Sequence, residues 1–553
     1  MKINLKTEPK GEFREFDVKR GTTLEEVYKS LAEELPYKAI AATVNNRIVD
    51  LSYKIQKGCN VELLDVRTRV AHVIYQRGLS LIYIKAVHDV NPKATVEICN
   101  SLAHGIFVRL KGAKVTENFI AKVDKKMRKI IKEDLPFEKR VVSRSTAIKY
   151  LREDDRPDRR KLISSTPNIK EVHFYTLDGY RDFFYGQMPP STGYVDIFEV
   201  RGYRDGMLLR FPRPSKAGEV PAFHDEKRLY EAFEEQLEWE QLLGVSYLAD
   251  LNEKINQGKQ RELIQLSEAL HEKKIAQIAD TIKKRHKRII LIAGPSSSGK
   301  TTFARRLCVQ LMVNGMDPLY LGTDDYFVER EQTPIDENGE KDYENLDALD
   351  VDLFNKQMND LLAGKTVDLP TFDFLTGHKV YGKRITKIAP GQPIVIEGIH
   401  ALNGKLTEFI PKEEKFKIYI SPLTQLNVDA HNRIPTTDER MFRRMVRDYL
   451  YRGYSAQNTI DNWPKVRRGE DKNIFPYSNE ADVLFNSYHV YEVAVLKKYA
   501  EPLLKAIKPS EPEYVEAQRM LKFLEYFLTI EDDSIIVNNS ILREFIGGSI
   551  FVH

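Results

Sequence analysis

The stretch IILIAGPSSSGKTTFARRLCVQL, Ile289 to Leu311, carries the strongest structural signal in the chain. Ile289 to Ala293 is a continuous apolar run, as expected of a parallel strand buried on both faces. From Thr301 onward the apolar residues fall at helical spacing. Between them lies Gly294-x4-Gly299-Lys300-Thr301. Glycines at both ends let the backbone curl so that successive N–H groups point inward, a cradle for phosphate oxygens at a helix N-terminus. Gly294, Pro295, Ser296, Ser297, Ser298, Gly299, Lys300, Thr301 and Thr302 are therefore expected to bind ATP. Lys300 is placed to neutralise the β- and γ-phosphates, and the Thr301 hydroxyl to ligand Mg²⁺. A glycine-rich turn without a ligand is the bland alternative, but it does not explain Lys-Thr at the helix start.

Such a loop serves NTPases and kinases alike, and the flanking segments separate them. A strand over Pro318 to Leu321 runs into GTDDYF. A carboxylate just past a strand end, near the phosphates, suits a base that accepts the proton of an attacking hydroxyl. PIVIEGIHAL supplies a third buried strand, Ile394 to Ile396, ending at Glu397, an acid placed to hold Mg²⁺ directly or through water. A lone acid elsewhere would read as a surface or capping group. Two of them at strand ends of one nucleotide fold read as chemistry.

From about Ile289 to Lys498 these motifs, in this order, resemble the uridine kinase branch of the phosphoribulokinase/uridine kinase family. The resemblance places the catalytic base at Asp324, with Asp325 on a serine of the family and Tyr326 among the residues facing substrate. KDYENLDALD (Lys341 to Asp350) is similar to the nucleoside-binding stretch, which puts Tyr343 against the nucleoside and Glu344 on the ribose hydroxyls. LPTFDFLTGHK resembles the base-contacting segment, implying roles for Phe372, Phe374 and, one place out of register, His378. RMFRRMVRDYLYRG (Arg440 to Gly453) resembles the arginine lid. Arg444 matches the ribose-contacting arginine, and Arg447 and Arg452 join Asp324 and Lys300 as catalytic residues. A basic helix closing over ATP supplies charge where negative charge spreads in the transition state. Three departures bear on the choice of base and ribose. A further lid arginine of the family falls on Tyr454, Phe372 replaces a tyrosine, and Glu344 replaces an aspartate.

Upstream, strands at Lys2 to Leu5 and Phe13 to Val18 precede a helix opening at Thr22/Thr23, with Glu25 and Glu26 at capping-box spacing. Asn45-Asn46 marks a hairpin between Ala41–Val44 and Arg47–Leu51, and Val61 to Val66 closes the unit. The pattern is a β-grasp, and VNNRIVDLS followed by GCNVELL resembles a TGS domain. Pro92 to Phe107 and the following TENFIAKVDKKMRKIIKEDLPFEKRVVSRSTAIKYL are similar to the editing domain of threonyl-tRNA synthetases. The metal-binding and proton-shuttling positions of that family fall on Arg77, Leu81, Phe184 and Met188. Three of these side chains cannot ligate a metal or carry a proton, so the scaffold is expected without its editing chemistry.

The whole chain, 553 residues, is too long for one core. We expect a multidomain α/β protein: a TGS-like β-grasp domain over 1–67 and an α+β synthetase-like domain over 68–225. A helical connector follows over 226–286, then a P-loop kinase domain with a parallel β-sheet over 287–505 and a tail over 506–553. In the connector, Leu263, Leu266, Leu270, Ile275, Ile278 and Ile282 form an apolar stripe, and Lys283 to Arg288 reads as a solvated or dipole-capping patch. The formal charge of +4 does not mark a general nucleic-acid binder. Three scattered cysteines give neither a zinc cluster nor a disulfide framework, and no run approaches the length of a membrane span. A soluble, cytoplasmic kinase is expected, phosphorylating a nucleoside 5′-hydroxyl, uridine or cytidine first. The competing readings are a kinase for a purine nucleoside or sugar phosphate, and a nucleotide-sensing RNA-binding regulator. An RNA or regulatory ligand for the N-terminal half and homo-oligomerisation stay open.

Overall fold

The computed structural model describes residues 1–336, 339–424 and 426–552. At the N-terminus, five strands lie in the order Arg14–Asp17, Lys2–Lys6, Asn60–Leu64, Ala41–Val44, Arg47–Val49. The central pair runs parallel and its neighbours antiparallel, which is the β-grasp arrangement. The helix Leu24–Leu31 starts at Thr23, whose hydroxyl accepts from the Glu26 N–H while the Glu26 carboxylate accepts from the Thr23 N–H. The hairpin turns on Asn45 and Asn46 at φ 48° and 59°, the left-handed pair a two-residue turn needs.

The next unit packs the helix Arg69–Val90 against a four-stranded and a three-stranded antiparallel sheet. That helix is buried all round from Leu79 to Val87, which is why its sequence is apolar without a stripe. Three helices follow, Lys227–Leu243, Leu248–Asn256 and Gln260–Lys284. Leu263, Ile275, Ile278 and Ile282 are buried as the stripe implies, and Leu270 packs at its edge. Leu266, by contrast, faces solvent. At 100° per residue it lies about 120° round the helix from Ile278, outside the buried face, and Ile264 takes its place in the core.

The C-terminal sheet is wholly parallel, in the order Leu319–Gly322, Ile394–Glu397, Ile289–Ala293, Lys415–Ser421, Val483–Asn486. Alternate residues of its central strand serve two cores. Ile290 and Ile292 point into one, and Ile289, Leu291 and Ala293 into the other. The strand is thus buried on both faces, the physical cause of its uninterrupted apolar run. Residues after 505 do not trail away. Phe523, Tyr526, Phe527, Ile541, Leu542 and Phe545 enter the same core as Ile290. His553, the last residue of the expected tail, lies outside the described residues.

Two buried ionic networks join the synthetase-like unit to the kinase-like body. Arg159 pairs with Asp182 and with Asp429, and His431 Nδ1 lies 2.6 Å from Asp182. Arg69 and Arg519 both pair with Asp438, at the start of the helix Thr436–Arg452. No helix among the described residues is long and apolar enough to cross a membrane.

Candidate active site

The loop lies at the carboxyl end of the central strand, where parallel sheets place their ligands. Two glycines make it possible. A Cβ on Gly294 would stand 2.0 Å from the Ile420 carbonyl oxygen, so only glycine passes close beneath the adjoining strand. Gly299 begins the helix Lys300–Val313 at φ 83°, in the left-handed region, and Ser297 sits at φ 60°. The hydroxyls of Ser297 and Ser298 are buried with no partner among the described residues. Among the described residues Lys300 Nζ reaches only the Pro295 carbonyl, at 3.4 Å, which leaves its charge available to an anion.

Register brings the acids together. Glu397 pairs with Gly322 on one side and Ile292 on the other, so its carboxylate emerges beside the loop and beside the turn Thr323–Tyr326. A Cβ on Gly398 would meet Thr323 Oγ1 at 1.8 Å, and this close approach holds the two strand ends side by side. Thr301 Oγ1 donates to Glu397 Oε1 at 3.0 Å, and Tyr320 donates to the same oxygen at 3.1 Å. A hydroxyl and one carboxylate converging at a phosphate loop is the hard oxygen set that suits Mg²⁺, which takes its other ligands from phosphates and water. Among the described residues no group of three or more His, Cys, Asp or Glu is arranged to cage a metal.

Asp324 and Asp325 have different fates. Asp325 pairs with Arg384 at 2.6 Å. Among the described residues the Asp324 side chain has no hydrogen-bond or ion-pair partner, and it is exposed although protein surrounds it densely. Loss of solvent, then repulsion from Glu397, pushes its carboxyl up to about 6 against the pull of Lys300. A carboxylate poised there is both unpaired and basic enough to accept a proton.

Next to it an aromatic cluster forms around Phe327, which the sequence reading passed over. Its ring meets Tyr343 at 5.7 Å, Phe372 at 5.5 Å and Phe374 at 6.1 Å between centroids. Tyr326, expected to face substrate, is turned into the protein instead. It is buried against Phe354 with its hydroxyl on Gln357, because in the tight turn after the strand neighbouring side chains point opposite ways. His378 lies on the edge of a small hairpin, exposed, with Nδ1 2.6 Å from Glu329. Glu344 is tucked beneath Gly469, where burial and then repulsion from Glu470 raise its carboxyl while Lys300 and Arg444 lower it.

The arginine helix sits over the loop with a division of labour that its composition hides. Arg440 donates to the Ser296 carbonyl and pairs with Glu470, and Arg443 donates to the Ser297 carbonyl and pairs with Glu492. Both are fully buried and act as struts of the loop. Arg444 donates to Ser296 Oγ at 2.7 Å. Arg447 and Arg452 meet at Asp448, at 2.9 and 3.4 Å. Positions 440, 443, 444 and 447 share one helical face, a signal available from spacing alone. Glu470, which accepts from the Ser296 N–H at 3.1 Å, and Glu544, which accepts from Thr302, are distant in sequence and had no local signal.

The second site of interest, in the synthetase-like unit, is filled. Leu81, Phe184 and Met188 are buried in one apolar cluster, and the Arg77 guanidinium stacks 5.1 Å over Tyr185. The adjoining cavity is about 50 Å³, room for a water or two.

Comparison with known proteins agrees with this division. Residues 289–494 match the Phosphoribulokinase / Uridine kinase family, and residues 3–65 match the TGS domain. The chain therefore carries a kinase-family domain behind an N-terminal TGS domain. Threonine–tRNA ligase of Caldanaerobacter subterraneus subsp. tengcongensis is 32% identical over 192 residues, 34% of this chain and 29% of that protein. Threonine–tRNA ligase of Desulforamulus reducens is 30% identical over 194 residues, 35% of this chain and 30% of that protein. The chain thus spans about 30% of the length of these curated relatives. Among solved structures, one described as a possible uridine kinase from Bacillus stearothermophilus is 22% identical, covering 36% of this chain and 88% of that one, with a TM-score of 0.25.

Proposed function

We propose that the chain is an ATP-dependent nucleoside kinase that transfers the γ-phosphoryl group to a nucleoside 5′-hydroxyl, with uridine and cytidine as its acceptors. The observation that carries this reading is the unpaired Asp324 carboxyl, raised to about 6, between Lys300 and Glu397 and beside the aromatic cluster. In this reading Asp324 takes the proton of the 5′-hydroxyl as its oxygen bonds to the γ-phosphorus, and the bond to the β–γ bridging oxygen breaks to release ADP. Lys300, Arg447 and Arg452 hold the transferring group, while Glu344 and Arg444 orient the ribose. Mg²⁺, held by Thr301 and Glu397, would neutralise phosphate charge. Phe327, Tyr343, Phe372 and Phe374 offer faces on which a base stacks. They supply no extra cations for a sugar phosphate, which speaks for a nucleoside over a phosphorylated acceptor.

The kinase body in this proposal comprises 287–505 completed by 506–553, working in the cytoplasm, where three free cysteines are at home. The synthetase-like half would take an RNA or regulatory ligand, a reading favoured by the Arg69–Asp438–Arg519 network that ties it to the arginine helix. Purified protein with ATP, Mg²⁺ and a panel of nucleosides tests the main reading through monophosphate formation. Product with uridine or cytidine that is lost in Lys300→Ala supports it. A chain that binds ATP yet phosphorylates no nucleoside sinks it.

A further inference from the structure

The phosphate loop's last donor pair already has an anion on it. Thr302 stands in the first turn of the loop helix, where backbone N–H groups lack helical partners and attract negative charge. Its N–H donates to Glu544 Oε2 at 3.3 Å, and its hydroxyl donates to the same oxygen at 2.7 Å. Thr302 is fully buried as a result. Glu544 arrives on the short turn Arg543–Ile546, which several contacts hold in place in this conformation. Arg543 donates to the carbonyls of Asp533 and Ile536. Ile541 lies against Gly299 so closely that a Cβ there would fall 2.4 Å from its Cγ2. Phe545 is buried under the Arg443 guanidinium, 5.0 Å from the ring centroid. The segment therefore covers the helix end of the loop, at Gly299 and Thr302.

A carboxylate and a phosphate cannot share the same two donors, since each carries the negative charge those donors are there to stabilise. We infer that residues 541–546 are a built-in plug of the nucleotide site, with Glu544 holding the donors of Thr302 until a triphosphate displaces it. The inference rests on the reading of the loop as a triphosphate site. The described conformation is the closed one, and its population sets a tax on nucleotide affinity. Apparent affinity falls by the fraction of molecules in which the plug is out. The turn ends in Gly547 and Gly548 at φ 96° and 77°, two residues with the backbone freedom to let it swing.

The test is ATP·Mg²⁺ binding to the full chain by calorimetry, wild type beside Glu544→Ala and Glu544→Gln, with hydrogen exchange of residues 541–546 followed in the wild type. Removing the carboxylate is expected to tighten ATP binding roughly 10- to 100-fold for Ala, the range of one or two charge-assisted hydrogen bonds, and less for Gln. ATP is expected to speed exchange across 541–546 in the wild type, an observation that needs no variant to fold. Unchanged or weaker binding in both variants, or exchange in 541–546 that ATP slows, overturns the plug and leaves the loop's role intact. No triphosphate binding by the wild type or by either variant removes the premise, and the plug falls with it.

Discussion

Two sites in this chain descend from recognisable scaffolds, and their side chains have gone opposite ways. In the kinase cleft, polar groups are left without partners at some cost. Asp324 is unpaired, Lys300 touches a single carbonyl, and the Ser297 and Ser298 hydroxyls are buried and unmatched. In the synthetase-like unit, Leu81, Phe184 and Met188 have closed the corresponding space with apolar packing. A fold keeps uncompensated polar groups only where a ligand completes them, and otherwise fills the gap. The contrast matches the proposed reading, in which one site keeps chemistry and the other only packing.

That assignment can be broken from either end. The largest effect is expected for Asp324→Asn, which keeps the shape and removes the base. Turnover should fall roughly 10²- to 10⁴-fold with ATP affinity retained, read by initial rates and by ATP titration. A loss below tenfold would move the base elsewhere. At the filled site, Phe184→Ala should cost about 3–5 kcal/mol in denaturant unfolding, as for a buried aromatic, and leave the per-molecule turnover unchanged. A drop in turnover at full folding would mean that the filled site still contributes to the reaction. Phe327→Ala should raise the nucleoside KM several-fold with little change in kcat, since an aromatic pair contributes about 0.5–1.5 kcal/mol beyond its area. The remaining effect concerns stability. Asp324 has its carboxyl raised from 3.8 to about 6, so the folded state holds more protons than the unfolded state between those values. Stability from this group falls as pH rises through that window. Asp324→Asn should therefore melt higher than wild type at neutral pH, with the gap closing below pH about 4.

The sequence made the kinase cleft legible because its parts are local. The strand, the glycine loop and the helix are contiguous, and Asp324 and Glu397 sit at the ends of apolar runs that announce themselves. The β-grasp unit was legible through Thr23–Glu26 and Asn45-Asn46 for the same reason. What escaped depended on direction and distance. Tyr326 and Phe327 are neighbours, and only the turn's geometry decides which one packs on Phe354 and which one joins Tyr343, Phe372 and Phe374. Arg440 and Arg443 look like Arg447 until the helix is docked, after which two are struts of the loop and one pairs with Asp448. Glu544 lies 242 residues from Thr302, and no local pattern links them.

The central claim is that Asp324 works as a base in phosphoryl transfer to a nucleoside. The most direct measurement is uridine monophosphate formation by the wild-type chain, with saturating ATP and Mg²⁺, from about pH 5 to about pH 8. If Asp324 is the base, kcat/KM for uridine climbs with pH across this range as its carboxyl, raised by burial, loses its proton, and then levels off. A rate flat across that window, or no uridine monophosphate at any pH from a chain that binds ATP, would contradict it.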